Sequence, residues 1–231
     1  MCFSPTASFV SSAVIGSIGI ATLRKAKVPR AKLMAATPLL FATQQLIEGL
    51  IWLKVGRIHS NMDRMAVPES SLPYFYCFFA FILWPTYSPL AAAILEKDSH
   101  RKPWYYAFVS IGLMVSLYFI YELWAYPLVT SVIDHHIEYH MGNPIPNLVI
   151  ILYCIASVAA CFFSSHKWII HYGWTLLVSL IVSYVAYAQS FASEWCFFAA
   201  ILSVLLYLHF SRSAKNLERV TECPPTHDKM S

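Results

Sequence analysis

Charge is scarce in this sequence. Only 12% of its 231 residues are Asp, Glu, Lys or Arg, against roughly 25% in soluble domains. That shortage excludes a soluble globular enzyme. Glycine is scarce as well, at 7 residues, which excludes collagen-like repeats. Aromatics make up 16% of the chain, too many for a disordered polymer. No internal repeat and no soluble domain can be traced. The formal net charge is +4, but its basic residues flank apolar runs and form no patch interleaved with aromatics, so nucleic acid is not the expected partner. No basic residue precedes the first apolar run, which is therefore read as a span and not as a cleavable signal peptide.

What is abundant is apolar surface. Hydrophobic residues reach 58% and the mean hydropathy is +0.56, so the lipid bilayer is the expected environment. Crossing it takes about 20 apolar residues, or about 17 at the short end. Seven stretches qualify: residues 7–23, 33–53, 73–95, 104–126, 147–165, 168–190 and 194–211. Each is predicted helical, because lipid offers no partner to a backbone amide. The runs are continuous, which argues against an alternating β-barrel. The predicted fold is an all-α integral membrane bundle over residues 1–212, with surface loops at 54–72 and 127–146. A disordered cytoplasmic tail is predicted over 213–231.

Lys and Arg set the expected orientation. Thirteen of them fall in the first, third and fifth connections and the tail, among them Arg24, Lys27, Arg30, Lys97, Lys167 and Arg212; Lys54, Arg57 and Arg64 alone fall on the other side. This asymmetry predicts the N-terminus outside and the C-terminus in the cytoplasm, as an odd number of spans requires.

Polar residues inside spans carry the functional signal, since charge at membrane depth costs about 2.5–3.5 kcal/mol on insertion scales. Glu48 lies in the second span with Gln44 and Gln45 one turn before it, on one helix face. Glu122 lies near the end of the fourth span, and Gln189 and Glu194 at the outer ends of the sixth and seventh. No span carries an acid in its inner half. The outer loop adds Asp134-His135-His136-Ile137-Glu138-Tyr139-His140. If that segment is helical, His136 and His140 sit one turn apart and suit a divalent transition metal. Cys2, with a free amine after loss of Met1, is a further ligand or a nucleophile; a disulfide among Cys2, Cys77 and Cys196 is the equal alternative. Ser8, Ser12 and Gly16 are expected to let helices approach closely. Pro85 and Pro89, in Trp84-Pro85-Thr86-Tyr87-Ser88-Pro89, are expected to kink the third span.

Three segments carry a resemblance: the opening Met1-Cys2-Phe3-Ser4-Pro5-Thr6-Ala7-Ser8-Phe9, then Ile20-Ala21-Thr22-Leu23-Arg24, then the run Pro38–Trp52 with Gln44-Gln45-Leu46-Ile47-Glu48-Gly49. Concentrated in residues 1–54, they resemble a family of uncharacterised bacterial polytopic membrane proteins. The resemblance implies that Cys2, Ser4, Gln44, Gln45, Glu48 and Trp52 belong to a family motif, and that the membrane is a bacterial inner membrane. It implies no activity. Alkaline-ceramidase-type hydrolases place histidines and an aspartate within spans, and retinal proteins place a lysine deep in the last span. Neither pattern is present here.

The functional expectation is an outward-facing polar pocket centred on Glu48, which with Cys2 is the candidate catalytic pair. Gln44, Gln45, Glu122, Gln189 and Glu194 are candidate binding residues. Glu48, Glu122, His136 and His140 are candidate ligands of a divalent transition metal. Such a pocket would bind the metal or a small polar ligand. With a metal it would hydrolyse a lipid-derived substrate at the outer leaflet. The alternatives are a proton-coupled carrier and a non-enzymatic receptor or assembly factor.

Overall fold

The computed structural model describes residues 4–55, 64–66, 70–133, 136–186 and 191–222, with the backbone alone at 55, 64–66, 133, 136, 184, 186, 191–197 and 215–222. The described residues form seven continuous helices: α1 (Pro5–Lys25), α2 (Lys32–Val55), α3 (Leu72–Leu95), α4 (Lys102–Ala125), α5 (Asn147–Phe162), α6 (Lys167–Ala186) and α7 (Phe191–Glu222). The fold is predominantly helical, as the apolar runs require. α1, α3 and α4 are each long and apolar enough to cross a membrane. α2 has the same length as α3 and α4, but Gln44, Gln45 and Glu48 lower its hydropathy. α7 passes the expected end of the last apolar run and continues to Glu222, into the segment expected to be a disordered tail. Residues 212–222 hold good helix formers and no Gly or Pro.

The connections at 26–31, 96–101 and 163–166 gather at one end of the bundle. There Ala26, Ala31, Leu95, Ile169 and Phe210 share a core. Glu96 ties two of these connections together, accepting from Ser165 N at 2.8 Å and Ser165 Oγ at 2.5 Å. Arg101 Nη1 donates to the Phe163 carbonyl at 2.8 Å.

Small residues set the α1–α2 contact, as their spacing leads one to expect. Ser12 Oγ donates to the Ala42 carbonyl at 2.8 Å, and a Cβ on Gly16 would meet Ala42 Cβ at an ordinary 3.5 Å. Ile15, Ala42 and Ala199 join α1, α2 and α7.

α3 and α5 each contain a wide π turn, at Phe78–Leu83 and Ile155–Ala159. The first precedes Pro85, which has no N–H. In π register Pro85 would be the partner of the Ala80 carbonyl. Tyr153 Oη on α5 donates to that carbonyl at 2.8 Å. Ser116 Oγ donates to the Ile82 carbonyl at 2.6 Å, and Ser88 Oγ to the Ser157 carbonyl at 3.0 Å. Hydroxyls from neighbouring helices thus bond backbone carbonyls around the prolines and π turns, and Tyr153 takes the place of the donor that Pro85 lacks.

The outer connections were expected as loops. They instead contribute a three-stranded antiparallel sheet of β1 (Arg64–Ala66), β2 (Val129–Ile133) and β3 (His136–His140), in that order. Val129 pairs with His140 and Ser131 with Glu138; Ala66 pairs with Ser131. The run Val-Thr-Ser-Val-Ile favours a strand because β-branched side chains fit a pleated surface. The sheet lies at the end of the bundle opposite the short connections, where Ile137 is buried beside Ile51, Trp52, Tyr76 and Ala80. Tyr139 stacks on Tyr76 with ring centroids 4.5 Å apart.

Candidate functional site

The last three turns of α2 place Gln44, Gln45 and Glu48 toward the bundle interior. Glu48 is fully buried, and each glutamine is 2% exposed. Gln45 Nε2 donates to Glu48 Oε2 at 3.2 Å. Gln44 Oε1 accepts from Trp84 Nε1 on α3 at 2.9 Å. Next along α2, Gly49 lies against the Phe9 ring of α1; a Cβ there would approach Phe9 Cε1 to 3.0 Å. The three polar residues expected to act together do form one group, enclosed by helices and not on the outer surface of the bundle.

The group is bounded on both sides. Toward the short connections, the Phe41 ring stacks on Trp84 at 4.2 Å. Beyond that pair lie Thr37 and Tyr87, whose hydroxyl donates to the Leu33 carbonyl at 2.5 Å. Toward the sheet, Trp52 and Ile51 pack under Ile137 and Tyr76. Trp84 was read from sequence only as part of a proline-kinked segment. Its indole is a wall and a tether of the site, a role invisible at a sequence separation of 40.

Other expected residues do not join this group. Glu122 is buried at 5% exposure, but its oxygens take Asn143 Nδ2 at 3.4 and 3.5 Å. Among the described residues no bond links it to Gln44, Gln45 or Glu48. The helical placement of His136 and His140 is corrected: both lie on β3. Four residues along a strand span about 13 Å, so the one-turn geometry needed for shared metal ligation is lost. His140 Nε2 instead lies 3.1 Å from Glu138 Oε2 and 3.1 Å from Ser131 Oγ. Both partners meet the same ring nitrogen, whereas a nucleophile–base–orienter relay uses both nitrogens.

Cys2 and Gln189 lie outside the described residues. Glu194 and Cys196 fall in the first turns of α7, where the backbone alone is described. Cys77 is a buried free thiol, so the disulfide alternative loses that member. Among the described residues, no three His, Cys, Asp or Glu side chains gather as a metal set.

No curated protein and no solved structure matches this sequence. A match does exist at the level of a family, and it runs over residues 1–221, from the motif-bearing N-terminus through α7. The chain therefore belongs to DUF6629, a family of unknown function.

Proposed function

We propose that the chain is a seven-span membrane protein, N-terminus on the non-cytoplasmic face, whose outer half encloses a polar centre that binds a small polar ligand or a metal ion from that side. The observation that carries this reading is the complete burial of Glu48 with an amide donor at 3.2 Å. A carboxylate inside a membrane bundle is costly, and such residues mark sites more often than they serve packing. Orientation is supported by Arg24, Lys27, Lys97 and Lys167, which all stand at the end of the short connections, opposite the sheet. A bacterial inner membrane fits the N-terminal motif.

The stacked Phe41 and Trp84 rings favour a binder, or an enzyme acting on what is bound, over a carrier. They interpose an apolar layer between the Glu48 group and the Thr37–Tyr87 hydroxyls. A small polar ligand is better supported than a metal, because Glu122 bonds Asn143 and His140 bonds Glu138 and Ser131. With a metal, Glu48 would be a ligand and would orient water. Without one, Glu48 and Gln45 together would hold a donor-rich ligand by charge-assisted hydrogen bonds.

The test compares wild-type protein and Glu48→Gln, both purified without chelator, by elemental analysis and by mass spectrometry of released small molecules. Gln preserves shape and removes charge. The reading expects a co-purifying species in the wild type that is lost in the variant at unchanged thermal stability. Equal content in both proteins, or none in the wild type, contradicts it.

A further inference from the structure

We propose that the basic end of the bundle is a docking surface for anionic phospholipid headgroups. The inference rests on the membrane reading above and is independent of the Glu48 centre.

The chain crowds cations where α1 turns into α2. Arg24, Lys27, Arg30 and Lys32 are all exposed there, on a corner whose apolar residues Ala26 and Ala31 are buried. Hence the corner is fixed by packing while its charges face outward. α7 brings further cations alongside. Lys25 Nζ lies 6.0 Å from the Tyr207 ring centroid of α7, holding α1 against that helix. Trp168 stacks on His209 of α7 at 4.0 Å, which places its exposed neighbour Lys167 beside the same helix. One turn further along α7 stands exposed Arg212. Lys215 and Arg219 follow at positions sharing its helix face. One surface thus joins the α1–α2 corner, the start of α6 and the emerging end of α7.

Among the described residues, the acids at this end are Glu96, Asp98 and, at the far end of α7, Glu218 and Glu222, which alternate there with Lys215 and Arg219; none lies in the α1–α2 corner. Glu96 is buried and its oxygens accept from Lys97 N, Asp98 N and Ser165. Asp98 pairs with Arg101 at 3.3 Å. The exposed cations of the corner make no ion pair among the described residues. A cluster of four to eight cations where helices leave the membrane matches the negative potential of anionic lipid headgroups. Exposed Trp104 on α4, beside Lys102, supplies the amphipathic ring expected at headgroup depth. The ligand chemistry is a phosphodiester anion, and the membrane position selects a lipid over free phosphate as its source.

The test titrates the full detergent-purified chain with phosphatidylglycerol, with phosphatidylcholine and with inorganic phosphate, reading adducts by native mass spectrometry. Phosphatidylglycerol should be retained at about tenfold lower concentration than phosphatidylcholine, and the combined Lys27→Gln, Arg30→Gln and Lys32→Gln variant should lose about tenfold of that preference. The charge-conserving Lys27→Arg, Arg30→Lys, Lys32→Arg variant should keep it, and so should Glu48→Gln, which separates this surface from the polar centre. Equal retention of both lipids, an unchanged neutralised variant, or equal loss in the charge-conserving variant overturns the proposal. Displacement of phosphatidylglycerol by equimolar phosphate assigns the surface to free anions and overturns it as well.

Discussion

The indole Nε1 of Trp84 lies 2.9 Å from Oε1 of Gln44. This bond joins α3 to α2 at the level where a stacked Phe41 closes the polar centre from one side. One side chain therefore does two things: it satisfies a buried amide oxygen, and it forms part of the wall beneath Glu48.

Removing that donor while keeping an aromatic ring isolates the first role. Trp84→Phe is expected to destabilise the protein by about 1 kcal/mol, between the about 0.6 kcal/mol average for interhelical bonds in membranes and the about 1–3 kcal/mol for an unsatisfied buried group. Combining it with Gln44→Leu should cost less than the two single changes added together. Unfolding midpoints in detergent measure both; strict additivity would show that the bond carries no coupling.

Gly112 allows α4 to approach α3. A Cβ at that position would lie 2.0 Å from the Pro85 carbonyl oxygen, whereas one at Gly16 would lie 3.5 Å from Ala42 Cβ. Gly112→Ala should therefore cost several kcal/mol or prevent folding, because a backbone atom and not a side-chain tip must yield. Gly16→Ala should be nearly neutral. Thermal melts of the two variants give the comparison, and similar melting for both would refute the close approach.

Acid should weaken the end that holds Glu96. Burial alone would raise its carboxyl pKa, but hydrogen bonds from Ser165, Asp98 N and Lys97 N outweigh it and hold the group at about 2, below the ordinary 4.5. The folded value lies below the unfolded one. The stabilisation is therefore complete above the unfolded value and is lost as pH falls from 4.5 toward about 2. Melting temperature against pH should fall across that window in the wild type and stay flatter in Glu96→Gln. Parallel curves would contradict the assignment.

The sheet is held to α3 partly through Tyr139 on Tyr76. Tyr139→Ala should loosen that cover, removing a ring pair worth about 0.5–1.5 kcal/mol beyond its buried area. Cys77, fully buried next to Tyr76, reports the change. Its alkylation rate, followed by peptide mass mapping, should rise in the variant, and an unchanged rate would place the sheet's attachment elsewhere.

Much of the fold was legible because hydrophobic length is a one-dimensional signal. Helices α1–α5 start and stop close to the expected positions, α7 runs well past its own, and the Gln44–Gln45–Glu48 grouping follows from helical periodicity alone. Partners distant in sequence were not legible. Nothing local marks Trp84 as the donor to Gln44, or Ser165 as the partner of Glu96. The sheet was partly legible: Val129–Ile133 is a β-branched run, and Ile137 and Tyr139 alternate with Glu138 and His140. The His-x-x-x-His spacing invited a helical reading of that segment instead. A pattern of four fits a helix face and a strand face alike, and the strand spaces the two backbone positions by about 13 Å where a helix would space them by about 6 Å.

The most direct test of the central claim is side-resolved labelling of Glu48→Cys with a small membrane-impermeant thiol reagent, read by peptide mass at position 48. With Trp52→Ala thinning the cover under the sheet, access from the non-cytoplasmic side alone is the predicted result: labelling in intact spheroplasts, none in inside-out vesicles, and labelling from both sides once Phe41→Ala also removes the ring stacked on Trp84. Labelling only from the cytoplasmic side, from both sides before Phe41 is changed, or from neither side would contradict an outward-facing centre closed from within.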